Sequence, residues 1–197
     1  MKKIQFFGKY LALIFGLLLF NSAHAHGVQG GGLINGLMHP VFGPDHLLAM
    51  VAVGILSVQI GGKAIWTVPG AFLVFMLAGG ILGINDIPFP AVETGIAASV
   101  LLLGIAIALA AKMPTLLAML FVGAFGMFHG YAHGMEMPSV AEPALYATGF
   151  IVATAGLHIA GVLIGFISHY VPRGDIVLRF IGVVIAAVGL YILFALQ

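Results

Sequence analysis

Ala64-Ile-Trp-Thr-Val-Pro-Gly-Ala-Phe-Leu-Val-Phe-Met-Leu-Ala-Gly-Gly-Ile-Leu-Gly-Ile84 contains no charged side chain. Gly61-Gly62-Lys63 precedes it and Asn85-Asp86-Ile87-Pro88 follows it. At about 1.5 Å of rise per residue, a helix of this length crosses roughly 30 Å of hydrocarbon. Backbone polar groups in hydrocarbon must bond within their own segment, so the stretch reads as a membrane helix. A barrel strand would alternate in polarity, and this stretch does not.

Five more stretches read the same way: 32–59, 92–111, 114–134, 145–170 and 176–196. Lys112-Met113-Pro114, Met137-Pro138 and Pro172-Arg173-Gly174-Asp175 lie between them. The expected fold is an all-α membrane protein, a six-transmembrane-helix bundle. Composition agrees, since 62% of the 197 residues are hydrophobic and 7% charged, against about 25% charged in a soluble domain. Mean hydropathy is +1.20. Seven basic and six acidic residues cannot cover a water-soluble surface, which excludes a soluble fold, a nucleic-acid binder and a disordered tail. Membrane lipid is the expected solvent. The absence of cysteine excludes disulfides, thiolate metal sites, iron–sulfur clusters and cysteine nucleophiles. The 28 glycines fit helices packed closely through small residues. Whether copies of the chain associate is left open.

Lys2, Lys3 and Lys9 precede an apolar run, Leu11 to Phe20, and Ala23-His24-Ala25 follows. A basic segment, a short apolar segment and an A-x-A site together describe a secretory signal peptide. Residues 1–25 are therefore expected to be removed, leaving 26–197 as the transport domain. His26 would then carry a free α-amine beside its imidazole, a bidentate pair for a divalent metal. Lys63, Lys112, Arg173 and Arg179 fall at alternate turns, while Asp86, Glu93, Glu136 and Glu142 fall at the others. Basic turns stay in the cytoplasm, so the mature N-terminus and the C-terminus are expected in the periplasm of a bacterial inner membrane. Spans 1–3 and 4–6 then start in opposite orientations, as a 3+3 inverted repeat would.

Six of the eight histidines fall in or beside these spans, where an ionisable group reads as functional. The first motif is His39-Pro40-Val41-Phe42-Gly43-Pro44-Asp45-His46. On an unbroken helix His39 and His46 lie roughly 10 Å apart along the axis, too far for one ion. Pro40, Gly43 and Pro44 are the residues that would break the helix and shorten that gap. Asp45 would be a ligand or would orient a histidine. The second motif is Phe128-His129-Gly130-Tyr131-Ala132-His133-Gly134-Met135-Glu136. His129 and His133 share one helix face, and Glu136 extends that stripe. Gly130 stands where a zincin would carry its glutamate, so a protease lacks its general base. His158 reads as a lower rung of a cation path. His169 reads as interfacial, and Glu93 as a recruiting carboxylate or a helix N-terminal charge. Nearby methionines keep Cu⁺ open beside Zn²⁺ as cargo.

These two motifs, with Leu47-Leu48-Ala49-Met50 after the first, resemble the HupE/UreJ family of nickel/cobalt permeases along the whole chain. The resemblance implies secondary uptake of nickel or cobalt across the inner membrane. It makes His39, Asp45, His46, His129, His133 and Glu136 the metal residues, with five residues between His39 and Asp45. The donors are nitrogen and oxygen, which suits divalent first-row metals. No Walker A sequence occurs, and the membrane potential supplies about 2.3 kcal/mol per charge per 100 mV. No permanent cofactor is expected, because the metal is cargo. An intramembrane metal-dependent enzyme and a metal-binding subunit of a larger importer are the alternatives. No serine lies in a G-x-S-x-G setting.

Overall fold

The computed structural model describes residues 31–136 and 143–196. The signal segment, its cleavage site after Ala25, His26 and Glu142 lie outside the described residues. Those described are all-helical, in seven helices: α1 (Gly32–Phe42), α2 (Pro44–Ile60), α3 (Ala64–Ile84), α4 (Val92–Ala108), α5 (Thr115–Glu136), α6 (Pro143–Ser168) and α7 (Gly174–Ala195). Helices α3, α5, α6 and α7 are each long and apolar enough to cross a membrane, and α1 with α2 makes a fifth span if the bent pair counts as one.

Two of the expected six stretches differ from plain spans. The stretch 32–59 is two helices bent by 77°. Pro40 sits inside α1 and Pro44 at the start of α2, and neither can donate the ladder hydrogen bond of its position. Gly43 between them is extended (φ −79°, ψ 109°), its N–H bonding the His39 carbonyl. The stretch 92–111 ends early, giving a helix of 17 residues, or about 25 Å. Ala110 takes a left-handed φ of 50°, and the N–H groups of Ala110 and Ala111 bond back to Ile107 and Ala106. That paired closure is a Schellman stop, and it satisfies the last carbonyls before the turn.

Lipid gives helices no hydrophobic reason to associate, so close backbone contact must hold them. Glycine supplies it here. A Cβ at Gly130 or Gly134 of α5 would strike the Met76 or Gly80 carbonyl of α3, and one at Gly79 or Gly83 would strike Met127 or Tyr131. The same close approach sets Gly36 of α1 on the Tyr146 backbone of α6 and Gly149 of α6 on the Leu33 backbone of α1, and joins Gly54 of α2 to Gly161 of α6 and Gly104 of α4 to Gly182 of α7. These are the most extensive helix pairings: α3 with α5, α1 and α2 with α6, and α4 with α7. The basic turns gather at one end. The Lys112 ammonium donates to the Gln59 carbonyl at the end of α2, and Arg179 Nε to the Ala108 carbonyl at the end of α4. Each cation thus meets the negative end of a helix dipole.

Candidate metal centre

The break at Gly43-Pro44 decides the site. It turns α1 by 77° against α2, and the His39 and His46 ring centres come to 5.9 Å. Helix α5 is continuous through its own motif, so His129 and His133 stay one turn apart on one face. The glycine contacts of α3 and α5 set that face toward α2. His133 then lies 4.7 Å from His39 and 4.6 Å from His46, and His129 lies 4.8 Å from His46, all ring centre to ring centre. Two imidazoles bound to one tetrahedral ion have centres about 5 Å apart, given nitrogen–metal bonds of about 2.1 Å. The three shorter spacings come near that value, and the His39–His46 pair is wider. The rings meet nearly edge to face, at 75° to 81°, and among the described residues no three His, Asp or Glu side chains are disposed to hold one ion as they stand.

Hydrogen bonding shows which nitrogens are available. His46 Nδ1 is 2.8 Å from Asp45 Oδ1, which also accepts the His46 backbone N–H at 2.8 Å. His129 Nδ1 is 3.0 Å from the Phe125 carbonyl, and His158 Nδ1 is 2.8 Å from the Met50 carbonyl. A carbonyl or carboxylate oxygen only accepts, so each Nδ1 carries the proton and each Nε2 presents its lone pair. All three Nε2 atoms are buried without a hydrogen-bond partner, as are both ring nitrogens of His133. His129 is 0% exposed, His133 3% and His46 7%. A buried polar atom without a partner costs about 1–3 kcal/mol, so several together mark a place built for something other than packing.

The surroundings are aromatic. Phe150 of α6 packs against His133 at 3.5 Å, and Tyr146 lies 6.4 Å from His39. Phe72 of α3 lies between His129, at 5.5 Å, and His158, at 5.1 Å. The structure therefore unites His39, Asp45, His46, His129 and His133, with His158 one phenyl ring further in. Glu136 ends α5, and its side chain lies outside the described residues, as does His26. His169 is exposed just beyond α6, and Glu93 is exposed in the first turn of α4. Sequence reasoning missed Phe72, Tyr146 and Phe150. The last two could have been found, because Tyr146, Phe150, Thr154 and His158 recur every four residues along one face of α6.

A family model described as HupE / UreJ protein matches residues 12–192. The chain is also 41% identical over 184 residues to "Protein HupE" of Rhizobium leguminosarum bv. viciae, covering 93% of this chain and 96% of that one. No solved structure matches the chain.

Proposed function

This chain belongs to the HupE/UreJ family, and from that premise we propose that it is a secondary permease for divalent nickel or cobalt, taking up the ion across the inner membrane. The observation that carries this reading is the set of four histidines from two motifs, three with Nδ1 committed to an oxygen or two bare nitrogens left inside the bundle. An ion shedding its water needs neutral imidazole lone pairs and a nearby negative charge, and His39, Asp45, His46, His129 and His133 offer both. Small rotations of the edge-to-face rings turn the nitrogens onto one ion. Glu136 and the freed terminus at His26 act at the periplasmic mouth.

In this reading α4 is the sixth span, since about 17 residues is the short end of what crosses a bilayer. Both termini of the mature chain, cut after Ala25, then face the periplasm and the basic turns face the cytoplasm. An inverted repeat is supported by the packing. Exchanging the two halves converts the pairing of α3 with α5 into that of α6 with the α1–α2 span, and leaves α4 with α7 unchanged. No step calls for bond chemistry, so the chain is read as a carrier and not an enzyme. A divalent ion moving inward gains about 4.6 kcal/mol per 100 mV, which suffices without ATP. The test is initial uptake of Ni²⁺, Co²⁺, Zn²⁺ and Cu⁺ by liposomes containing only this chain, under a clamped inside-negative potential. Uptake of Ni²⁺ or Co²⁺ ahead of the others is expected. Metal bound without flux would instead favour a subunit of a larger importer.

A further inference from the structure

The inner face of α6 carries two polar side chains that the histidine cluster does not use, Thr154 and, against Phe72, His158. Thr154 is 0% exposed and its hydroxyl has no hydrogen-bond partner. His158, one turn on, is 2% exposed, and its Nε2 has none either. The other buried helical hydroxyls behave differently, while Thr94 and Thr115, in the first turns of α4 and α5, are not buried. Ser57 and Ser99, both fully buried, donate to Gly54 and Ile96 carbonyls, and Thr67, Thr148 and Ser168 also bond back to their own helices. Such a back-bond is the ordinary fate of a helical hydroxyl in an apolar setting. Thr154 alone among these forgoes it. His158 is fixed from the other side: its Nδ1–H donates to Met50 of α2, which holds the ring and leaves Nε2 as a bare acceptor. A valine at 154 and a phenylalanine at 158 would fill the same space without orphaned polar atoms.

We propose that Thr154 and His158 form a second station for the divalent ion, inward of the histidine cluster and divided from it by the Phe72 ring. The proposal rests on the permease reading above. Phe72 contacts both His129 and His158, so an ion leaving the cluster at His129 meets Thr154 and His158 next. One imidazole nitrogen and one hydroxyl oxygen, with the ion's own waters, hold it more weakly than four imidazoles. That ordering suits transit, where a site must release as readily as it binds.

The test uses substitutions that keep shape. Thr154→Val exchanges the hydroxyl for a methyl of similar size, and His158→Asn keeps a donor for the Met50 carbonyl while deleting the Nε2 position. In liposomes with clamped potential, each is expected to lower the maximal Ni²⁺ uptake rate at least tenfold. The half-saturating Ni²⁺ concentration should stay near wild type, because the outer cluster is intact. Thr154→Ser should recover most of the rate, and the melting temperature of Thr154→Val should match or exceed wild type. A Thr154→Val protein that is stable and transports at the wild-type maximal rate overturns the second station while leaving the permease reading in place. Wild-type protein that takes up neither Ni²⁺ nor Co²⁺ overturns both.

Discussion

Helix α5 and the α1–α2 pair carry the same chemistry on opposite backbones. His129 and His133 are four residues apart, and an unbroken helix already puts them on one face. His39 and His46 are seven apart, and only the 77° bend brings their rings to 5.9 Å. One motif is assembled by helical periodicity and the other by the loss of it. The continuous motif is held in place by its neighbours, through Gly130 and Gly134 against α3. The broken motif is held by its own turn, where the Asp45 carboxylate and His46 Nδ1 lie against Gly43. Substitutions should therefore act on the two by different routes.

Removing a proposed ligand from either motif should have the largest effect. His46→Ala and His129→Ala are each expected to reduce Ni²⁺ uptake at least a hundredfold with the protein still inserted at wild-type levels, measured as flux per molecule in liposomes. Wild-type flux in both would break the idea of a shared site. Next comes the support of each motif. Asp45→Asn keeps the shape but weakens the partner of His46 Nδ1, and loss of such an outer hydrogen bond typically costs about 10–100-fold in metal affinity. Calorimetric titration with Ni²⁺ checks this, and unchanged affinity would detach Asp45 from the site.

How much of this was legible in sequence follows the same division. The helices were readable because apolar runs between charged or Gly/Pro turns have no other solution in lipid. The α5 motif was readable because a four-residue spacing has one geometric meaning. For α1–α2, Pro40, Gly43 and Pro44 announced a break but not its angle, which depends on α1 packing against α6 through Gly36 and Gly149. The early end of α4 was hidden because Ala110, not glycine, takes the left-handed position. Phe72 was hidden as one of many apolar residues on α3, since only tertiary packing puts it between His129 and His158.

Two smaller effects sharpen the contrast. Gly130→Ala places a methyl into the Met76 carbonyl, and overpacking of this kind typically costs about 1–3 kcal/mol. A lowered melting temperature with reduced uptake is expected, because α5 must shift along α3. Gly43→Ala is milder: its φ suits any residue, and the new methyl would stand 3.2 Å from Asp45 Oδ1 and 3.3 Å from His46 Nδ1. A several-fold rise in the half-saturating Ni²⁺ concentration, with unchanged stability, would place the strain at the broken motif alone. External pH acts on both motifs together. Metal binds neutral imidazole, so protons compete with it and uptake should fall as external pH drops at clamped potential. A flux that climbs toward acid at clamped potential would instead make the carrier a proton symporter.

The sharing of one ion by the two motifs is read most directly from its coordination shell. X-ray absorption at the nickel edge of purified, Ni²⁺-loaded protein counts imidazole ligands from their multiple-scattering signature. At least three imidazoles are expected in the wild type, with one fewer in His46→Ala and one fewer in His129→Ala. A shell holding two imidazoles or fewer, or one that loses a ligand in only one of these variants, would contradict a site built from both.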